Sequence, residues 1–192
     1  MVGLSKHQYE AAVEARRALT VAGTAGASSK NMKSLIETGW DGDYVVPNQI
    51  SSRSLSGPVL LLDNWIGWLT AEDWSTQKNQ EIRRFGYDRS LTTNRRLDAA
   101  ITLAKTSWSE LYITQACVLL PRCDSDAIPD AVYRETFAAI TKLEIAGRKV
   151  IAAGSKGRDL CKADGTIEYS HCRHPSRESV ETLRECIEWA MK

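Results

Sequence analysis

Continuous apolar runs and helix-spaced apolar residues alternate along the last two thirds of the chain. Residues 58–63 (PVLLLD) and 149–154 (KVIAAG) are continuous apolar runs, as is most of 110–120 (ELYITQACVLL). Such runs are typical of strands that are buried on both faces of a parallel sheet. Residues 166–172 (TIEYSHC) alternate more between apolar and polar side chains, which predicts a fourth strand at an edge of the sheet.

Apolar residues between these strands recur every three or four positions, the spacing of an amphipathic helix. This spacing predicts helices over residues 92–106, 130–146, 156–163 and 177–191. Strands that alternate with helices are joined by right-handed crossovers, so the predicted fold class is α/β, a three-layer α/β/α sandwich around a four-stranded, mostly parallel sheet. In such a fold, ligands bind beyond the carboxyl ends of the strands.

The N-terminal third of the chain follows a different pattern. Small apolar residues share one face of a helix predicted over residues 5–22, and a short second helix is predicted over 29–38. Residues 39–57 are polar and rich in Ser, Gly and Asp, which indicates an irregular loop. We predict that the whole chain forms a single domain, in which residues 1–57 precede a core sheet and its helices at 58–192.

The composition fits a soluble globular protein, with 43% hydrophobic and 26% charged residues and a net charge of +1. No apolar run approaches the roughly 20 residues that span a bilayer, and the N-terminal segment has no apolar signal core. We therefore expect a monomeric, cytoplasmic protein that contacts no membrane. The five cysteines are an odd number without a Cys-x-x-Cys motif, so we expect reduced thiols and neither a metal nor another cofactor.

Two segments carry local positive charge although the total charge is nearly neutral. Residues 83–96 (RRFGYDRSLTTNRR) hold five arginines against one aspartate, and residues 172–177 (CRHPSR) hold two arginines and a histidine. Each segment suits either a solvated helix end or a binding site for a phosphate backbone.

Four segments, in this order, resemble the uracil-DNA glycosylase superfamily: ELYITQACVLLPR, PDAVYRETFAAI, RKVIAAGSKGRDL and HPS. The resemblance covers roughly residues 58–192 and rests on the order and spacing of the segments. Three positions depart from the family pattern, since Asp63 replaces a glycine, Ile66 a usual proline and Gln115 an asparagine. No cysteine precedes Cys117, so the pattern of the iron–sulfur branch is missing and we expect no cluster.

The resemblance implies a DNA base glycosylase, which hydrolyses the N-glycosidic bond of uracil or a modified pyrimidine flipped out of DNA. It aligns the loop after the first core strand with the water-positioning loop, Gln115 with the amide that reads the base, and His174 with the histidine that stabilises the departing base. The candidate catalytic residues are Asp63, Asn64 and His174, and the candidate base-binding residues are Trp65, Trp68 and Gln115. Each has a plain alternative: a turn or helix cap for Asp63, packing for the tryptophans, a satisfied amide for Gln115, and loop stabilisation for His174.

Candidate phosphate-binding residues lie at two predicted helix starts, because backbone N–H groups and arginines there suit a phosphate. They are Thr92, Thr93, Asn94, Arg173, Ser176 and Arg177, of which Ser176 also suits the cap of the last helix. Two other functions stay open: a DNA- or base-binding module that has lost hydrolysis, and an enzyme that exchanges groups on a modified base.

Overall fold

The computed structural model describes residues 3–28 and 30–192 and confirms the predicted three-layer α/β/α sandwich. The strands are β1 (Met32–Lys33), β2 (Val59–Leu62), β3 (Tyr112–Gln115), β4 (Leu120–Pro121), β5 (Val150–Ala153) and β6 (Tyr169–Cys172). The central sheet has the order β3-β2-β5-β6 with every pair parallel, which confirms the predicted edge position of the fourth core strand. Strands β1 and β4 form a separate antiparallel pair.

Helices cover both faces of the central sheet. They are α1 (Lys6–Ala18), α2 (Trp68–Glu72), α3 (Thr76–Phe85), α4 (Thr92–Leu103), α5 (Asp130–Thr136), α6 (Lys142–Ile145), α7 (Ser155–Asp164) and α8 (Val180–Met191). A π-helical segment, Phe137–Thr141, joins α5 to α6, so the helix predicted over 130–146 is continuous. No helix of the described residues is long and apolar enough to cross a membrane.

Successive residues of each core strand face opposite layers. Leu60 and Ile113 belong to the cluster that packs against α4 and α8, whereas Leu61 and Val150 belong to the cluster that packs against α1 and the α5–α6 helix. Because both faces are covered, nearly every residue of β2, β3 and β5 is fully buried. This double burial explains why these strands read as continuous apolar runs.

The apolar run at 110–120 forms two strands instead of one. Strand β3 ends at Gln115, where the hydroxyl of Thr141 donates to its backbone oxygen (2.8 Å). The chain then turns, and the N–H groups of Ala116 and Cys117 donate to the backbone oxygens of Leu62 (2.7 Å) and Asp63 (3.0 Å). The run is continuous because the turn is buried as deeply as the strand.

The N-terminal part differs most from the prediction. The helix predicted over 29–38 is wrong: Met32 and Lys33 pair with Pro121 and Leu120, and only a 3₁₀ turn at Ile36–Thr38 is helical. Ser29 lies outside the described residues. Helices α2 and α3 were not predicted, since α3 buries only one residue, Ile82, and has almost no apolar period.

The irregular segment 39–57 is confirmed, but it packs against the core. Residues 52–54 run along the free edge of β3, where the N–H of Ile113 donates to the Ser52 oxygen (3.1 Å) and the N–H of Ser54 donates to the Leu111 oxygen (3.0 Å). A 3₁₀ helix at Pro47–Ile50 precedes this edge and buries Asn48 and Gln49. This segment therefore places polar side chains at both faces of the edge strand.

One face of β3 carries a fully buried polar group that we call the closed cluster: Glu144, Gln49, Tyr112 and Thr114. The Glu144 carboxylate accepts hydrogen bonds from Gln49 Nε2 (2.8 Å), Thr114 Oγ1 (2.6 Å) and the Tyr112 hydroxyl. Burial raises the pKa of Glu144 to about 7, although these hydrogen bonds and the charge of Arg148 lower it in part. The closed cluster joins the N-terminal segment to the sheet and the α5–α6 helix.

Candidate functional site

The carboxyl ends of the four parallel strands open on two adjacent depressions. The first is a narrow cavity of about 80 Å³ on the α4 side of the sheet, and the second is a wide groove of about 580 Å³ around the start of α7. Asn64, which follows β2, and His174, which follows β6, line both. The two side chains therefore mark the junction between the narrow cavity and the wide groove.

The narrow cavity collects residues from six parts of the chain. Drug-sized ligands occupy sites of roughly 300–1,000 Å³, so a cavity of about 80 Å³ suits a single small ring. The predicted site residues that line it are Asn64, Trp65, Thr93, Asn94, Gln115 and His174. Its other lining residues are Asn48, Leu62, Ile66, Trp74, Tyr87, Asp88 and Leu91.

Gln115 is the last residue of β3 and is 1% exposed. Its Nε2 donates to Oδ1 of Asn48 (3.1 Å), whereas its Oε1 is buried and accepts no hydrogen bond from any residue in 3–28 or 30–192. Leaving a buried acceptor unpaired costs about 1–3 kcal/mol. We call this atom the open acceptor, and a ligand N–H in the cavity would satisfy it.

His174 is positioned by hydrogen bonds at one ring nitrogen, Nδ1. The backbone N–H of Ser176 donates to its Nδ1 (3.4 Å), and the Ser176 hydroxyl lies 2.9 Å from the same nitrogen. Since a backbone N–H can only donate, Nδ1 is the acceptor and the neutral ring carries its proton on Nε2. Burial lowers the pKa of His174, the charge of Asp63 opposes this, and Arg177 lowers it further.

Asp63 lies in the groove, where it binds the first turn of α7. The N–H of Gly157 donates to its Oδ1 (3.0 Å), which is the hydrogen bond of a helix cap supplied from outside the helix. Gly154, at φ 147°, leaves room for the carboxylate, since a Cβ there would lie 2.5 Å from both oxygens. Burial raises the pKa of Asp63, and the Gly157 N–H lowers it in part, as does His174 when its ring is protonated.

The groove is rich in cationic and hydroxyl side chains. Its predicted site residues are Asp63, Asn64, Arg173, His174, Ser176 and Arg177, and it adds Asp124, Gly154, Ser155, Arg158, His171 and Cys172. The loop that carries the arginines is fixed from α4, because Arg96 donates to the backbone oxygens of Ser176 (2.7 Å) and Glu178 (3.1 Å). Three guanidinium groups, from Arg158, Arg173 and Arg177, therefore lie beside one helix N-terminus, an arrangement that suits phosphates.

Some predicted residues lie elsewhere. Trp68 is outside both depressions and packs under Lys33, whose Nζ is 3.8 Å from the ring centroid. Thr92 is exposed at the start of α4, outside both depressions. Asn94 is buried in the cavity wall, where its Nδ2 donates to the backbone oxygen of Asp88 (2.7 Å), and Thr93 lines the cavity beside it. Ser176 does not cap the last helix, because Ser179 does, through the Thr182 N–H (3.0 Å).

Sequence reasoning missed several residues of the cavity. Asn48 lies in a segment without a catalytic motif, and its only signal is a polar pair, Asn48-Gln49, directly after an apolar stretch. Tyr87 and Asp88 belong to the basic segment at 83–96, whose arginines indicate only a solvated helix end or a phosphate site. Trp74 makes an edge contact with Trp65, with ring centroids 5.8 Å apart, and so helps to position it.

The fold and the site define an α/β/α protein with a small, largely apolar cavity that carries a few buried polar groups and adjoins a groove lined by arginines. Comparison of the chain with protein-family models and with curated proteins finds no match. The function is therefore inferred from the geometry and chemistry of these residues.

Proposed function

We propose that the protein is a DNA base glycosylase, which hydrolyses the N-glycosidic bond of uracil or a modified pyrimidine flipped out of DNA. The observation that carries this proposal is the pairing, in one narrow cavity, of the open acceptor of Gln115 with the neutral His174 ring. A pyrimidine ring has both an N–H for the acceptor and a carbonyl oxygen for the histidine.

His174 acts on the departing base. Cleavage of the bond leaves the base as an anion, and a donor aimed at its oxygen stabilises the transition state more than the ground state. A neutral histidine with its proton on Nε2 supplies such a donor without becoming an imidazolium. The burial that lowers the pKa of His174 favours this neutral form of the ring.

Asn64 and Asp63 act on the sugar side. Asn64 lies at the junction of cavity and groove, where the bond between base and sugar would pass. Its amide orients a water for attack on the anomeric carbon, and the water's proton passes to the Asp63 carboxylate. The negative charge of Asp63 also stabilises the cation-like sugar.

The groove binds the DNA backbone. Its three arginines and the N-terminus of α7 suit phosphates on either side of the flipped nucleotide, and flipping costs a few kcal/mol that these contacts offset. One chain supplies both depressions, so the proposed enzyme acts as a monomer on DNA.

A second candidate function is a DNA- or base-binding module without hydrolysis. It is favoured by the hydrogen bond between Asp63 Oδ1 and the Gly157 N–H, which already gives this carboxylate a structural role as a helix cap. An enzyme that exchanges groups on the same base would use the same cavity.

Oligonucleotides with uracil or hydroxymethyluracil, single- and double-stranded, test the proposal by alkaline cleavage at abasic sites. We expect cleavage that falls by about 100-fold or more in His174→Ala. Asp63→Asn keeps an oxygen for the Gly157 N–H but cannot accept a proton from water. It therefore distinguishes the role of Asp63 as a helix cap from its role as a general base. Thr92→Ala, at an exposed position outside both depressions, is the matched control.

Three outcomes distinguish the candidates. Cleavage by the wild-type protein that is lost in Asp63→Asn supports a glycosylase in which Asp63 is the general base. An absence of cleavage, with DNA affinity that falls steeply between about 50 and 200 mM salt, supports the binding module. An absence of both cleavage and salt-sensitive binding contradicts both.

A further inference from the structure

We propose that Asn48 is a positioning residue that fixes the side-chain amide of Gln115 with its oxygen toward the cavity, and thereby determines which ring edge the cavity accepts. This inference rests on the proposed function, since it assigns base selectivity to the same cavity. It gives a role in recognition to the N-terminal segment, in which the sequence contains no recognisable catalytic motif.

Asn48 is itself held firmly. It is 4% exposed within the 3₁₀ helix Pro47–Ile50, and its backbone oxygen accepts from the Ser52 hydroxyl (2.7 Å) and the Ser52 N–H (3.1 Å). Gly86, at φ 81°, packs directly against this turn, since a Cβ there would lie 2.0 Å from the Pro47 oxygen. The backbone of Asn48 is therefore fixed by the fold, and its side-chain Oδ1 is the atom that contacts Gln115.

The contact with Asn48 decides how Gln115 is turned. The nitrogen and oxygen of an amide exchange places by a half-turn, and only the nitrogen can donate to Asn48 Oδ1. The observed bond of 3.1 Å leaves Oε1 as the amide atom without a partner among the described residues, beside the cavity that Gln115 lines. The backbone of Gln115 adds no freedom, because Thr141 holds its oxygen (2.8 Å).

This orientation selects a ring edge with a donor. A ring of the uracil type presents an N–H between two carbonyl groups, which pairs with the open acceptor. A cytosine ring has an unprotonated nitrogen at the same place, so two acceptors would face each other in a buried site. Sites with a fixed buried polar group reject a ligand that leaves it unpaired.

Two variants of Asn48 test the inference. Asn48→Asp keeps an acceptor for Gln115 Nε2 and should hold the amide in the same orientation. Asn48→Ala removes the acceptor, so the amide of Gln115 becomes free to turn. Melting temperatures of both variants establish that they fold.

The measurement is the preference for uracil over cytosine. The affinities for free uracil and free cytosine are measured by NMR titration, and the cleavage rates of duplexes that carry either base are measured by the cleavage assay. We expect Asn48→Ala to reduce the preference about 10-fold, which corresponds to one hydrogen bond of about 1.4 kcal/mol, and Asn48→Asp to keep it within about threefold. A purely structural role would weaken binding of both bases equally and leave their ratio unchanged.

The outcomes separate this inference from the proposed function. Selective uracil binding that depends on Asn48, without cleavage of any duplex, supports the inference and contradicts hydrolysis. Cleavage with an unchanged preference in Asn48→Ala overturns the inference alone. If the wild-type protein binds neither free base and cleaves neither duplex, both are overturned.

Discussion

Two consecutive residues of β3, Thr114 and Gln115, are both buried and face opposite sides of the sheet, yet their surroundings differ. Thr114 belongs to the closed cluster, in which Glu144 accepts three side-chain hydrogen bonds. The side-chain amide of Gln115 has one partner among the described residues, Asn48, and its open acceptor is unpaired beside the narrow cavity that Gln115 lines. A buried polar group that is complete in itself stabilises the fold, whereas an incomplete one is available to a ligand.

The 3₁₀ helix Pro47–Ile50 supplies one polar side chain to each face of β3. Gln49 donates to Glu144 on one side of β3, and its neighbour Asn48 accepts from Gln115 on the other. The face of β3 with the closed cluster, which we call the closed side, therefore anchors the 3₁₀ helix that carries Asn48. Asn48 in turn contacts Gln115 on the opposite face, which we call the open side. Stability and recognition are expected to respond to different substitutions on the two faces, which the following predictions examine.

The largest expected effect is on the closed side. Glu144→Ala removes the shared acceptor of Gln49, Tyr112 and Thr114, so the free energy of unfolding should fall by about 3–5 kcal/mol. Urea denaturation measures it. Glu144→Gln, which keeps one acceptor oxygen, should lose much less, and an equal loss in both variants would contradict the role of the hydrogen bonds.

The next effect is a pH dependence of stability. The pKa of Glu144 is raised to about 7 in the folded protein from 4.5, so the folded state keeps a proton that the unfolded state releases. Stability should therefore fall by roughly 3 kcal/mol as pH rises from about 4.5 to about 7, and this contribution should then level off. Denaturation at a series of pH values tests this, and Glu144→Gln should remove this contribution.

On the open side, the effect on recognition should exceed the effect on stability. Gln115→Ala removes the open acceptor, so binding of a pyrimidine should weaken by about 2 kcal/mol, or roughly 30-fold. The free energy of unfolding should change less than in Glu144→Ala, because the removal of the unpaired Oε1 offsets part of the cost of leaving Asn48 Oδ1 without its donor. A large loss of stability with unchanged binding would reverse the assignment of the two faces.

The smallest effect concerns the groove beyond the open side. Arg177→Ala should weaken binding to DNA of any sequence and reduce the slope of log affinity against log salt by about 1. Fluorescence anisotropy at several salt concentrations measures the slope. Arg95→Ala, at an exposed position outside the groove, is the matched control and should leave it unchanged.

The sequence predicted the sheet and the meeting of distant residues because both depend on simple rules. Strands buried on both faces have continuous apolar runs, and the carboxyl ends of parallel strands meet at one edge. Asn64, Gln115 and His174 each follow or end such a strand, and the structure places all three in the cavity wall.

The remaining features depend on tertiary contacts that carry no local pattern. Strand β1 exists only because Met32 and Lys33 pair with β4, far along the chain. Trp65 and Trp68 are close in sequence, and only packing against Trp74 and Lys33 decides that one lines the cavity and the other does not. Asn48 reaches Gln115 across 67 positions.

The π-helical segment Phe137–Thr141 makes both faces of β3 sensitive to the length of one helix. It ends at Thr141, whose hydroxyl donates to the backbone oxygen of Gln115, and it separates α5 from Glu144, the centre of the closed cluster. Deletion of one exposed residue there, such as Ala139, would turn everything that follows by about 100° relative to α5. The number of residues in this π-helical segment thus determines the direction in which Thr141 and Glu144 point relative to α5. Substitutions at its exposed alanines should therefore be tolerated, whereas a deletion should not.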